Sequence, residues 1–351
     1  MDQDDKERIG SLLEELIAIP SPTGMEGEII AFLRERLSAL GFSCEEEEAE
    51  GVTNLIARKG TPRLLVATHL DTVPPWGHPH AFEPRREGGK VWGRGAVDAK
   101  GQIAALLWAL EAEVEDALLC FFSDEEGEGR GSRSFTPPEG IVEGVVLEPT
   151  GLRLGVAQAG SIEIEVEVKG RASHGAVPQE GENALEIFFS FYERLKRLRF
   201  LSRSHPLFPP PRVTLGYLSG GIDPQVIPER CEAKLDIPLL PGVEVDEALK
   251  ELEALFDSFP LQWHIREVDR PWTEEGEVIL RVAEAFRRAL AEEPQRCGFP
   301  AWTDASSLRQ KGIRCAILGA GELALAHTPY EAVSIDELFK LGLVLRELLA
   351  H

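Results

Sequence analysis

Near the start of the chain, apolar residues recur at helical spacing. Leu12, Leu13, Leu16 and Ile17 share one face and predict a helix over 6–19. Pro20-Ser21-Pro22-Thr23-Gly24 stops it, and a second amphipathic helix is predicted over 26–40 with Gly41 as its C-cap. Further on, runs of strand length that are apolar but for Thr68 stand at 64–68, 118–122 and 145–147, with a helix predicted over 99–113. Strands alternating with helices predict a largely parallel sheet with helices on both faces. Each of these strands ends at a group that can bind a cation or move a proton. His69 follows the first, Glu125 and Glu126 close the second, and Glu148 closes the third. In open α/β sheets, ligands gather outside the carboxyl ends of the strands.

After Thr150 the period changes. Residues 161–168 alternate strictly between apolar and polar, which predicts a strand with one solvated face. A helix over 183–199, strands near 212–218 and 231–237, a helix over 246–257 and a strand over 261–267 follow. The order β-α-β-β-α-β is that of a ferredoxin-like α+β domain. Helices over 275–290 and 335–349 and a strand at 316–318 then resume the first pattern. The expected fold is therefore α/β: a mostly parallel-sheet domain made of 1–156 and 268–351, into which a βαββαβ domain at 157–267 is inserted.

Composition narrows the function. A chain of 351 residues is long enough for two cores. A formal charge of −23 repels nucleic acid and anionic membranes, so neither is expected as a partner. Five cysteines are scattered without C-x-x-C spacing, which fits reduced thiols in a cytoplasmic protein. The acidic N-terminus has no apolar signal segment, and no apolar run is long enough to span a bilayer.

The chemistry lies in acids and histidines. His69, Asp98, Glu125 and Glu126 in one cleft would concentrate more negative charge than a buried site tolerates, and divalent cations are the natural compensation. A metal-dependent hydrolase is the leading idea. His69 and Asp71, two apart on a strand, point the same way, so Asp71 is expected to accept the second ring N–H of His69. Asp98 precedes a helix; it can bridge two cations or simply cap that helix. Glu125 and Glu126 can divide metal binding from proton transfer. His78, His80, His205, His264 and His351 receive no role.

Together, H-L-D-T-V-P, G-R-G-x-x-D-x-K-G, D-E-E, E-P-T, G-x-x-S-H-G-A-x-P and a late A-H-T-P resemble the zinc-dependent family of acetylornithine deacetylase, succinyl-diaminopimelate desuccinylase, carboxypeptidase G and aminoacylase. The resemblance covers essentially the whole chain. It implies two Zn2+ per subunit, with Co2+ or Mn2+ as substitutes. His69 and Glu148 would hold one ion, Glu126 and His327 the other, and Asp98 would bridge them. Asp71 would orient His69 and Glu125 would be the general base. His174 would supply an oxyanion donor to a neighbouring subunit's site through dimerisation of the inserted domain.

One departure bears on substrate. Where similar enzymes carry a substrate-holding Asn and Arg, this chain has Gln225 in Gln225-Val226-Ile227-Pro228 and Pro238 in Asp236-Ile237-Pro238. Arg270 is the candidate replacement cation, and Gly319 is expected to line the cleft. The expected reaction is removal of the acyl group from a small N-acyl-L-amino acid. The alternatives are a dipeptidase, a desuccinylase or a carrier-linked lysine/ornithine hydrolase, and, in another class, a non-catalytic metal- or ligand-binding relative.

Overall fold

The computed structural model describes residues 2–350; His351 lies outside the described residues. The chain divides into two compact units. One comprises 1–156, 274–297 and 303–351, the other 157–273 and 298–302.

In the first unit, strand Leu64–His69 lies between Ala117–Phe122 and Glu143–Leu147, and Arg314–Leu318 joins the outer side of Glu143–Leu147. These four strands are mutually parallel. Every residue of Ala117–Phe122 and Glu143–Leu147 is buried, as expected of parallel strands covered on both faces. Beyond Ala117–Phe122 the pairing is antiparallel, first to Val52–Lys59 and from there to Ser43–Ala49. The acid run Glu45–Glu48 thus lies on an edge strand. Its charges discourage pairing with another chain.

The helix after Asp98 is Lys100–Ala109, shorter than expected, and all of its residues are buried. A helix apolar all round belongs inside a domain, and this one packs against Asp2–Ile17 and Ile335–Leu349. Its N-cap is Ala99, with no side-chain cap, so Asp98 does not serve as the cap.

A small antiparallel sheet escaped the sequence pattern because its strands are only three residues long. Arg85–Glu87 pairs with Lys90–Trp92, and Lys90–Trp92 with Ala332–Ser334. This pairing brings the segment after Trp92 beside the one before Ala332.

The second unit has the sheet order Thr214–Gly220, Arg230–Leu239, Gly160–Lys169, Leu261–Asp269, antiparallel throughout. Helices Ala184–Leu195 and Val245–Phe256 carry Phe188, Phe191 and Phe256 into a core with Ile164, Val168 and Ile237. Gly160–Lys169 alternates between buried and half-buried positions along its length. The helix expected to reach 199 ends at Leu195, and a 3-10 turn follows at Arg199–Ser202. Trp272 and Thr273 pair with Gln158 and Ala157, which keeps the chain in this unit beyond residue 267.

Among the described residues, no helix is long and apolar enough to cross a membrane. All five cysteines are free.

Candidate metal centre

Because the central strands are parallel, their carboxyl ends share one edge of the sheet. His69 ends Leu64–His69, Glu148 follows Glu143–Leu147, and Glu125 and Glu126 sit in the turn after Ala117–Phe122. Asp98 enters on the loop before Lys100–Ala109, and its peptide bond to Ala99 is cis. His327 arrives on the loop before Ala332–Ser334, in the left-handed region at φ +63°.

One ligand atom each from His69, Asp98 and Glu148 lie within 4.8 Å of one another. The same holds for Asp98, Glu126 and His327, so Asp98 belongs to both groups and Glu125 to neither. His69 Nε2 is 2.9 Å from Asp98 Oδ1, and His327 Nε2 is 2.9 Å from Glu126 Oε1 and 3.5 Å from Asp98 Oδ2.

Electrostatics explains what this geometry calls for. Burial raises the pKa of Glu125, and the charges of Glu148 and Glu126 raise it further. Glu148 is likewise driven up by burial and by Asp98. Burial also raises Glu126, against the lowering effect of its bond to His327. Asp98 goes the other way: the bonds from His327 and His69 outweigh its burial and hold it far below the usual carboxylate range. Burial disfavours charge on His69, but Glu125, Asp71 and Asp98 prevail and raise it. Hydrogen bonds to Asp98 and Glu126 lift His327 to about 10. The acids thus favour a positive charge on both rings.

The donor set fits divalent cations. Both groups combine imidazole with carboxylate, a mixture that suits zinc, cobalt or manganese. Glu148 Oε1 is buried without a hydrogen-bond partner, which is costly for a carboxylate oxygen unless a cation meets it.

The turn carrying Glu125 and Glu126 is held from below. Asp71 Oδ1 accepts from Glu125 N and Oδ2 from Glu126 N, each at 3.1 Å, and Oδ2 also accepts from Thr23 Oγ1 at 2.8 Å. This corrects the expectation for Asp71. His69 Nδ1 meets the Asp71 backbone carbonyl at 2.9 Å, whereas the carboxylate lies 3.6 Å away, turned toward the amides. Asp124, at φ +67°, forks onto Arg130 Nε and Nη2 at 2.8 Å each and accepts the amides of Glu128 and Arg130. Asn54 closes the turn by accepting from Ser123 N at 3.2 Å. The D-E-E run flags Asp124 only as one more acid, and nothing near Asn54 in sequence points to it.

Gly319 packs against the Glu148 segment. A Cβ there would lie 2.3 Å from Glu148 O, so only glycine permits the approach. Asp304 also escaped the sequence reading, because Thr303-Asp304 ahead of a helix looks like ordinary capping. It is fully buried, and neither carboxylate oxygen has a hydrogen bond of normal geometry. Burial pushes it up to about 6, although Ser132 and His69 offset part of that cost.

The remaining candidates lie in the second unit. His174 is exposed and bridges to Val226, with its Nδ1 accepting from Ala176 N at 3.1 Å. Gln225 is exposed, and its carbonyl accepts from Gly175 N at 2.6 Å. Arg270 is exposed and paired with Asp246 at 3.3 Å. Pro238 sits in strand Arg230–Leu239 opposite Ser161.

An α/β sheet with acids and imidazoles clustered at its carboxyl edge defines a metal-dependent hydrolase. The profile of Peptidase family M20/M25/M40 matches residues 65–351, and the chain belongs to that family. It is 29% identical to a succinyl-diaminopimelate desuccinylase of Halorhodospira halophila, over 97% of both chains. It is 30% identical to an acetylornithine deacetylase of Myxococcus xanthus, over 97% of this chain and 96% of the other. A tripeptidase structure from Staphylococcus aureus superposes with a TM-score of 0.84 over 98% of each chain, at 20% identity.

Proposed function

We propose that the chain is a cytoplasmic, homodimeric amidohydrolase that removes the acyl group from a small N-acyl-L-amino acid, with acetylornithine-type substrates first. One observation carries the reading: two ligand groups share Asp98, while Glu125 stands among them and belongs to neither. His69, Asp98 and Glu148 would hold one zinc ion, and Asp98, Glu126 and His327 the other, with cobalt or manganese as substitutes. The chemistry bound ions supply here is acidification of water and polarisation of the acyl carbonyl.

The protein's own groups do the rest. Glu125 takes a proton from the attacking water and returns it to the departing amine. Its raised pKa suits both directions of transfer. Asp71 fixes the direction of Glu125 and Glu126 through their amides. His174 donates to the oxyanion in a partner subunit's site. Dimerisation through the second unit is supported by its open edge strand Thr214–Gly220 and by the exposed Phe189, Tyr217, Leu218 and Ile222. Gln225, Arg270 and Gly319 are the proposed substrate contacts.

Desuccinylation is the second reading, favoured by the Halorhodospira relative. The test supplies purified protein and Zn2+ or Co2+ with N-acetylornithine, N-succinyl-diaminopimelate, a carrier-linked lysine and a dipeptide panel. Chelator-sensitive hydrolysis of N-acetylornithine is expected. Preference for another member reassigns the substrate, and no metal-dependent turnover on any member favours a binding protein.

A further inference from the structure

A buried ion pair that no step of the reaction uses joins the loops of the metal centre. Arg94 and Glu331 are each 2% exposed and meet at 2.8 Å. Glu331 Oε2 takes the Arg94 contact, while Oε1 accepts the backbone N–H of Val97 at 3.0 Å and of Asp98 at 3.3 Å. Arg94 reaches two further carbonyls at 3.5 Å: Thr328 O, directly after His327, and Pro74 O, beyond Asp71. The pairing of Ala332 with Trp92 sets this up, and Gly93 N donates to Glu331 O at 3.2 Å.

We propose that Arg94 and Glu331 are positioning residues that set the affinity of one of the two metal positions, the one formed by Asp98, Glu126 and His327. The inference rests on the two-ion reading given above.

The asymmetry between the positions is the reason. His69 and Glu148 stand at the ends of buried parallel strands and are themselves buried. The His327 side chain is 41% exposed, on a loop whose backbone is left-handed at that residue. Non-glycine residues hold that conformation only where their surroundings impose it. The chain after His327 is tied by Arg94 at Thr328 and by Glu331 three residues further on. The same Glu331 grips the amide of Asp98. Two ligands of one ion therefore hang from a single buried pair, whereas the other position shares only Asp98 with it. Breaking one partner alone would leave an uncompensated buried charge, so the pair is best removed together.

The test is calorimetric titration of metal-free enzyme with Co2+, with the visible absorption of bound Co2+ recorded alongside. Wild type is expected to bind in two resolved steps. In Arg94→Met/Glu331→Met, one step should weaken by about tenfold or more while the other stays within about threefold. Arg94→Met/Glu331→Gln keeps an acceptor for the Val97 and Asp98 amides without leaving a buried charge unpaired, so that step should fall between the double Met variant and wild type. Equal weakening of both steps in the double Met variant, or none, overturns the proposal, because a merely structural pair would not discriminate between them. If the double Met variant does not fold, Arg94→Lys decides. Lysine keeps the charge but cannot fork to Thr328 and Pro74, so weakening of one step alone is expected and unchanged binding overturns the proposal. A wild type that takes up at most one ion overturns the two-ion reading, and this inference with it.

Discussion

Asp71 Oδ1 accepts the backbone N–H of Glu125 at 3.1 Å, so a residue two positions beyond strand Leu64–His69 holds the proposed proton-transfer acid by its main chain. The other oxygen accepts from Glu126. Asp71→Asn offers one acceptor and turns an NH2 toward the second amide. We expect kcat to fall about 10- to 100-fold, with metal content reduced far less. Metal analysis of the purified variant beside its steady-state kinetics checks this. Loss of metal in proportion to activity would place Asp71 with the ligands.

Glu125→Gln separates proton transfer from metal binding. The amide keeps the shape and removes one charge from a crowded acid cluster. Metal affinity should hold or rise, and kcat should fall by about 10²- to 10⁴-fold. Turnover near wild type would show that another group moves the proton.

The parallel core was legible because its strands are unbroken apolar runs, each ending at a His or Glu. His69, Glu125, Glu126 and Glu148 could be read from that boundary alone. Asp98 and His327 lie in loops: for Asp98 the pattern leaves metal bridging and helix capping open, and His327, a lone imidazole without a local signal, gains a role only through resemblance to a family. The direction of the Asp71 carboxylate was not legible. Strand spacing says that His69 and Asp71 share a face, but it is silent on the Glu125 and Glu126 amides that compete for the same oxygens. Asn54, Asp304, Arg94 and Glu331 act through distant contacts that no spacing rule encodes. Val97 and Glu331, for example, are 234 positions apart.

Chelation should destabilise the enzyme through the acids it uncovers. With free ion about 100-fold above Kd, binding contributes about 2.7 kcal/mol, so EDTA should lower the wild-type Tm. Glu148→Gln replaces a buried carboxylate that has one unpartnered oxygen. Its metal-free form should melt above metal-free wild type, and its own response to EDTA should shrink. Differential scanning calorimetry with and without EDTA measures both. An undiminished EDTA shift in the variant would remove Glu148 from the ligand set.

Asp304 gives a pH signature with a definite sign. Its carboxyl is raised from 3.8 to about 6, so between those values the folded protein binds more protons than the unfolded chain. Stability from this group is therefore present at low pH, is lost as pH rises through that window, and stays lost above it. The full loss corresponds to about 3 kcal/mol. In EDTA, Asp304→Asn should match wild type near pH 4 and exceed it near pH 7. Denaturant midpoints at both values decide, and a variant advantage that shrinks as pH rises would contradict the burial argument.

His174 offers a test of subunit exchange. Its Nδ1 accepts from Ala176 N, which leaves Nε2 to donate outward from an exposed loop. If that donor serves a partner's site, His174→Ala should lower kcat while leaving metal content near wild type. Two inactive proteins should then rescue each other. In a mixed dimer of Glu125→Gln and His174→Ala, one site has its own Glu125 and receives His174 from the other subunit. Free reassortment of a two-fold dimer makes half the molecules mixed, each with one complete site, so roughly a quarter of wild-type activity should return. Charged substitutions at Tyr217 and Leu218 on the edge strand should abolish the recovery along with the dimer, read by analytical ultracentrifugation. Mixtures that exchange subunits yet stay inactive would confine His174 to its own subunit or remove it from the reaction.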